Sequence, residues 1–215
     1  MKDTSLTAAA QAFASDKDTE ALLEAVKKYF DIETIAEQVI PYLLGESATD
    51  GFYLIQSLEQ CSDYTPTYQK LFHEYGEGLF PALNFGGDGL GVEFWLMLET
   101  GQVITLHHDA TFFERAGEIR ADSAAEFARK FESVGSLFSL TQLLHLQALT
   151  RDLDEGDDDF GKGLMKAASA ALGISLRETA DLFSDTRFEF VFSQVGDLYD
   201  FEEELEEFLA EEEGK

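Results

Sequence analysis

Between Val92 and His107 the chain reads VEFWLMLETGQVITLH. Val92 to Leu98 and Val103 to His107 are short runs rich in β-branched and aromatic residues, a composition that suits a pleated, half-buried surface. Glu99-Thr100-Gly101 stands between them. A three-residue connection ending in glycine fits a hairpin loop, because that position takes the left-handed conformation glycine adopts freely. An antiparallel pair therefore sits in the middle of the chain and needs cover from the segments on either side.

Those segments read mainly as helix. Residues 5 to 15 predict a short helix, and Asp18 or Thr19 caps the next. There Leu22, Leu23, Val26, Tyr29 and Phe30 recur at helical spacing, with Glu20, Glu24, Lys27 and Lys28 opposite. Another helix is expected from Thr34 to Leu44, with Ile35, Val39, Ile40 and Leu43 inward. Pro41 kinks or shortens it and Gly45 ends it. GFYLIQSLEQ, from Gly51, is read as a helix capped by Asp50. TPTYQKLFHEYGEG is read as a helix with Pro66 in its first turn.

After the hairpin, Ser123 and Glu126 form an S-x-x-E capping box, with Phe127 and Phe131 on the buried face. Leu137 to Leu149 predicts a strong helix, with Leu140, Leu143, Leu144 and Ala148 clustered. RDLDEGDDDFGKG is an acidic loop, and helices follow at Leu164 to Leu172 and Leu176 to Phe183. RFEFVFS alternates like a strand. DFEEELEEFLAEEEGK is an acidic helix with Phe201, Leu205, Phe208 and Leu209 on one stripe. Helix, hairpin, helix with antiparallel pairing is an α+β pattern. The fold expected is a small antiparallel sheet flanked by helices. Residues 1–60 form a helical segment, 61–135 an α+β core and 136–215 an acidic helical segment with one strand, all in one compact unit.

Four glycines, Gly86, Gly87, Gly89 and Gly91, precede the hairpin. A phosphate loop leads from a strand into a helix N-terminus, where free amides meet the anion. Here the glycines lead into a strand, no G-K-[ST] follows, and no basic residue lies between Asn84 and Arg115. Their expected role is to permit tight backbone turns.

The order and spacing over about residues 66 to 131 resemble the SUKH superfamily, the Smi–Knr group of small α+β domains. The residues that carry the resemblance are FGGDGLG from Phe85, FWLMLETGQVITLHHD from Phe94 and RADSAAEF from Arg120. TPTYQKLFHEYGEG matches the upstream helix. Thr65 stands where the family has leucine, Tyr75-Gly76 where it has Asn-Gly, and Ala124 where an aromatic is usual. The resemblance implies a SUKH-like core with helical extensions and a non-catalytic domain. Bacterial members are often immunity proteins that neutralise toxins, and fungal members act as regulatory scaffolds. No catalytic residues come with the family.

Charge narrows the partners. With 43 acidic and 15 basic residues the formal net charge is −28. Such a chain repels nucleic-acid phosphates and anionic membranes, and steers a basic protein toward it. From Thr150 onward 20 acids face 6 bases, a balance of −14, half of the total. The C-terminal helix is thus either docked on the domain, the favoured reading, or bait for a basic partner. No run of about 18 apolar residues exists and the N-terminus lacks a signal-peptide core, so cytoplasm is the expected location.

Chemistry is weakly signalled. The single cysteine, Cys61, forms no internal disulfide, and no Cys/His spacing resembles a zinc site. His107 and His108 are strand neighbours that point to opposite faces, so they do not share a metal. His73 is read as a surface residue and His145 as partly buried. DLDEGDDD fails the EF-hand register, with Gly156 at position 5 and Gly163 at position 12 when counted from Asp152. G-x-S-x-G and H-E-x-x-H are both missing. The expectation is a protein-binding module without catalytic residues, metal or cofactor, specifically one that neutralises a basic toxin domain. A regulatory scaffold is the alternative and an orphan enzyme the third reading. The candidate contact residues are Asp88, Glu93, Trp95, Glu99 and Asp109, with Trp95 equally placed for the core.

Overall fold

The expected hairpin forms the middle of a larger antiparallel sheet. A computed structural model describes residues 5–47, 49–51, 53–67, 69–70, 82–87, 92–107, 136–153, 159–183 and 202–214. The sheet has five strands in the order β1-β2-β3-β4-β5. They are β1 (Leu54–Ile55), β2 (Ala82–Gly87), β3 (Val92–Met97), β4 (Gln102–His107) and β5 (Ser136–Ser139). Every neighbouring pair is antiparallel. Helices α1 (Ser5–Asp16), α2 (Thr19–Phe30), α3 (Ile40–Leu43) and α4 (Leu58–Cys61) come from the N-terminal side. Helices α5 (Leu140–Thr150), α6 (Phe160–Leu172), α7 (Leu176–Phe183) and α8 (Glu202–Glu213) come from the C-terminal side. The fold is α+β, as expected.

The hairpin register is Val92 with His107 and Leu96 with Val103. Gly101 has φ +71° and takes the left-handed position of the loop. The tip is not free. Ala36 N donates to Leu98 O (2.9 Å), Gln38 Nε2 to Thr100 O (2.9 Å), and Leu140 N to Gly101 O (2.7 Å). One end of the hairpin is thereby clasped between the 36–38 segment and the start of α5.

In β3, Phe94, Trp95, Leu96 and Met97 are all buried, although they alternate between the two faces. On one face Phe94 meets Tyr53 edge-on, with centroids 5.3 Å apart. Phe85 lies 6.4 Å from Phe94 and 5.6 Å from Tyr42. Phe85 is the extra residue of a β-bulge, since Asn84 pairs with Trp95 and Gly86 with Phe94. One cluster of buried residues runs from Leu6 through the sheet to Leu209, so all three sequence segments contribute to the same core.

Three helices open on the same tetrad, Ser-Leu-x-Gln or Ser-Leu-x-Glu. In Ser57–Gln60 and Ser139–Gln142 the serine hydroxyl accepts from the backbone of the third residue on, and that residue's amide oxygen accepts from the serine N–H. Ser175 and Glu178 exchange the same two bonds. The first two boxes correct the sequence reading. The segment from Gly51 is not one helix: it forms β1 and then, from Leu58, α4. The expected helix from Leu137 begins at Leu140, and the residues before it are β5. On α5 the buried face is Leu140, Leu143, Leu146, Gln147 and Thr150, while Ala148 is exposed.

The helix expected over 34–44 is also shorter. Residues 37–39 make a 3₁₀ turn and α3 covers only 40–43, with Pro41 in its first turn. Ala36 is extended and gives its N–H to Leu98, just past β3, instead of to a helix. Gly45, φ +71°, ends the turn as expected. Gly86 has a different task from the one expected. It lies within β2, and a Cβ there would stand 2.2 Å from Leu54 O, so its small size admits β1 to the sheet. Helix α2 is capped by Asp18, whose side chain accepts from Ala21 N at 3.0 Å.

Residues 65–67 and 69–70 are helical, with Pro66 in the first turn. Several expectations lie outside the described residues: the helix beyond Lys70, the Ser123–Glu126 box with Phe127 and Phe131, and the RFEFVFS strand.

Gln147 is the polar hub of the core. Its side chain is fully buried, accepts from Tyr53 N (2.8 Å), and donates to Tyr53 O (2.6 Å) and Thr49 O (3.1 Å). A Cβ on Gly51 would lie 2.6 Å from its Oε1, so glycine is required where the two segments meet. Gln147→Ala is expected to destabilise the protein by at least about 2 kcal/mol, because it strands buried backbone groups. Gln142→Ala, which removes half of a capping box, should cost only about 1 kcal/mol. Urea unfolding of the two variants checks the order.

Candidate functional site

Three of the five sequence-derived contact residues, Glu93, Trp95 and Glu99, lie among the described residues. Trp95 is 1% exposed and belongs to the core, so it is removed from any contact surface. The reason is that both faces of β3 are covered, so neither set of alternating side chains reaches solvent. Glu93 is half-buried near the start of β3, and its carboxylate accepts from Asn84 Nδ2 across the β2–β3 pair. Glu99 is half-buried in the clasped hairpin tip. Six residues of extended chain put Glu93 and Glu99 roughly 20 Å apart. Asp88 and Asp109 lie outside the described residues.

Acidic groups dominate the surface elsewhere. Asp16, Glu20, Glu46, Asp50, Glu59 and Asp63 are all exposed, and none is held in an ion pair among the described residues. Several of the cations are committed within the chain. Lys27 meets Glu24 (2.8 Å), Lys162 meets Asp159 (3.3 Å), Lys166 meets Glu212 (3.1 Å) and Arg177 meets Glu206 (3.2 Å). The last two tie α8 to α6 and α7. Phe208 and Leu209 are buried, and Lys166 also lies over the Phe208 ring at 5.5 Å. The acidic C-terminal helix is therefore docked, with Glu206, Glu207 and Glu211 left exposed. The docking expected of this segment is observed.

The titratable interior offers no activated nucleophile among the described residues. Cys61 is buried, and burial pushes its thiol up to about 12, against a partial opposing effect of the nearby Tyr42 hydroxyl at 3.9 Å. Burial, reinforced by Cys61, likewise holds the Tyr42 phenol well above its ordinary value. Tyr42 donates instead to Gln56 O at 2.6 Å, and Thr65 Oγ1 to Cys61 O at 2.7 Å. These groups join α3 to the segment between β1 and α4. His145 is exposed, not partly buried, because it points away from α5's packed face. His73 and His108 lie outside the described residues. Among the described residues no three His, Cys, Asp or Glu side chains converge to hold a metal, and no helix is long and apolar enough to cross a membrane.

One surface feature was not found from the sequence. A half-open cleft of about 190 Å³ lies between α1, α2, α3 and α4. Leu22, Leu43 and Leu58 form its buried floor, and the half-buried Phe13 and Leu44 its walls. The exposed Ala14, Lys17 and Glu59 border it. These residues are far apart in sequence, and each reads there as ordinary helix core or helix surface.

No family model, curated protein or solved structure matches the chain.

The Cys61 and Tyr42 environment sets an alkaline limit. Both acids are raised by folding, so the unfolded chain releases these protons first. Stability tied to the Cys61 thiol is complete below about pH 9, its ordinary value, and falls as the pH rises toward about 12. Tyr42 adds to the fall above about pH 10. Urea unfolding at pH 8 and pH 10 should show that loss, and Cys61→Ala should have a shallower one. In the folded protein at pH 8 the thiol should resist a thiol-specific chromogenic reagent and react only at the rate of opening.

Proposed function

We propose that this protein is a non-catalytic binding module that neutralises a basic protein, most specifically a cationic toxin domain, through an acidic surface. The observation that carries the reading is the imbalance of the surface. Among the described residues the exposed Asp16, Glu20, Glu46, Asp50, Glu59 and Asp63 lack cationic partners, whereas Lys27, Lys162, Lys166 and Arg177 are engaged by the chain's own acids. A surface of this kind has unspent attraction for a positive partner. The SUKH resemblance supports the immunity role, since its motifs are turn and packing motifs that come with no catalytic set. Glu93 and Glu99 remain candidate contacts, with Asp88 and Asp109 beside them in the sequence. Trp95 acts as scaffold.

Affinity capture from the native host, with washes at low and moderate salt, should retain a single basic protein at near-stoichiometric level. Its association rate should then fall by at least about tenfold from low to high ionic strength, as for electrostatically steered pairs. A salt-independent on-rate for the captured protein would remove the steering mechanism. Retention of a varied housekeeping set would remove the toxin partner.

A further inference from the structure

We propose that the cleft between α1, α2, α3 and α4 is the anchor point for that basic partner. It receives one aliphatic or aromatic side chain from a cationic segment, whose flanking Lys or Arg residues pair with the carboxylates around the rim. The inference rests on the acidic-surface reading and narrows it to one place.

Size and lining select the occupant. At about 190 Å³ the cleft is smaller than the roughly 300–1,000 Å³ of pockets that engulf a drug-sized ligand. It suits a single large side chain. Its floor of leucines offers no converging polar groups, and the Ser57 hydroxyl at its edge is already engaged with Gln60 in the cap of α4. A polar metabolite would find no partners on that floor. An apolar side chain would bury its surface against Phe13, Leu22, Leu44 and Leu58, as the anchor residues of interfaces do.

The rim selects the charge. Glu59 lines the cleft, and Asp16 and Asp18 flank the lining residue Lys17. Glu46 follows the lining residue Gly45. All four acids are exposed, and only Asp18 has a described side-chain contact, a single bond to Ala21 N that caps α2. Lys17, the single cation lining the cleft, does not neutralise them. Its backbone closes α1 in the left-handed conformation (φ 57°), and its Nζ lies 5.1 Å from the Phe13 ring centroid. One lining carboxylate, Glu59, and three more on residues next in sequence to the lining, against one lysine, match an Arg- or Lys-flanked hydrophobic residue. The charge-depleted centre and polar rim are the anatomy of a protein interface.

Fluorescence anisotropy at low salt tests this with the full chain and three labelled peptides. The first has a central Phe flanked by arginines, the second has Ser for that Phe, and the third has glutamates for the arginines. Ala14→Trp fills the cleft from its exposed wall, and Ala170→Trp, exposed on α6, controls for an added surface indole. Melting curves confirm that both variants fold. The Phe-centred cationic peptide should bind the unaltered protein and Ala170→Trp alike, and bind Ala14→Trp at least about tenfold more weakly. Replacing its Phe by Ser should cost a similar factor in the unaltered protein and little in Ala14→Trp. Glu59→Lys should weaken binding and flatten its salt dependence.

Binding that ignores both Ala14→Trp and the Phe-to-Ser change would overturn the cleft as anchor and leave the acidic surface standing. Preference for the glutamate peptide would overturn it as well, with Lys17 as the receptor. Failure of every arginine peptide to bind at low salt would sink both the cleft and the acidic-surface reading.

Discussion

Strand β3 is buried on both faces, and the rest of the molecule follows from the need to cover it. Successive residues from Phe94 to Met97 are hidden, although alternate side chains point in opposite directions. A sheet with one wet face would show every second position to solvent. Tyr42, Tyr53 and the bulged Phe85 supply aromatic cover on the Phe94 face. That cover is fixed by polar groups rather than by packing alone. Gln147 holds the chain at Thr49 and Tyr53, Tyr42 holds it at Gln56, and the 36–38 segment clasps the hairpin tip. A low-dielectric interior makes each of these bonds costly to leave unmade, so together they select one arrangement of the layers.

What could be read from the sequence depended on whether a local cause was sufficient. The hairpin was legible because Gly101 and the flanking β-rich runs agree with the fold. Helix α2 was legible from its periodicity and its cap, and α1 and α7 fall close to the ranges expected for them. Three of the misread boundaries had two kinds of cause. At Ser57 and Ser139 the signal was present as a capping box, but the apolar residues before each serine resembled a continuing helix. At Ala36 no local signal existed, because a hydrogen bond to the hairpin some 60 residues away in sequence draws the chain out of helix.

The candidate surface was legible in kind and not in place. Composition alone announces an acidic face. It does not say that Trp95, the most conspicuous residue in the hairpin, is consumed by the core. Nor does it say that Phe13, Leu44 and Leu58 meet around a depression, since their assembly depends on how three separate helices cross. His145 was misplaced for a related reason: α5 buries the polar Gln147 and Thr150 and exposes Leu149, so its sequence does not reveal which side packs.

The docked acidic helix has a consequence for handling the molecule. Helix α8 is held by Phe208 and Leu209 and by two ion pairs, yet its remaining glutamates face a body of the same sign. At about 0.01 M ionic strength that repulsion reaches across roughly 30 Å, the width of a small domain. At about 0.15 M it fades beyond roughly 8 Å. Dialysis into water is thus a harsher treatment for this protein than moderate brine, and its carboxyl end is where unwinding would begin. A bound polycation would act as a solid counterion, screening the helix at the very dilution that makes attraction strongest.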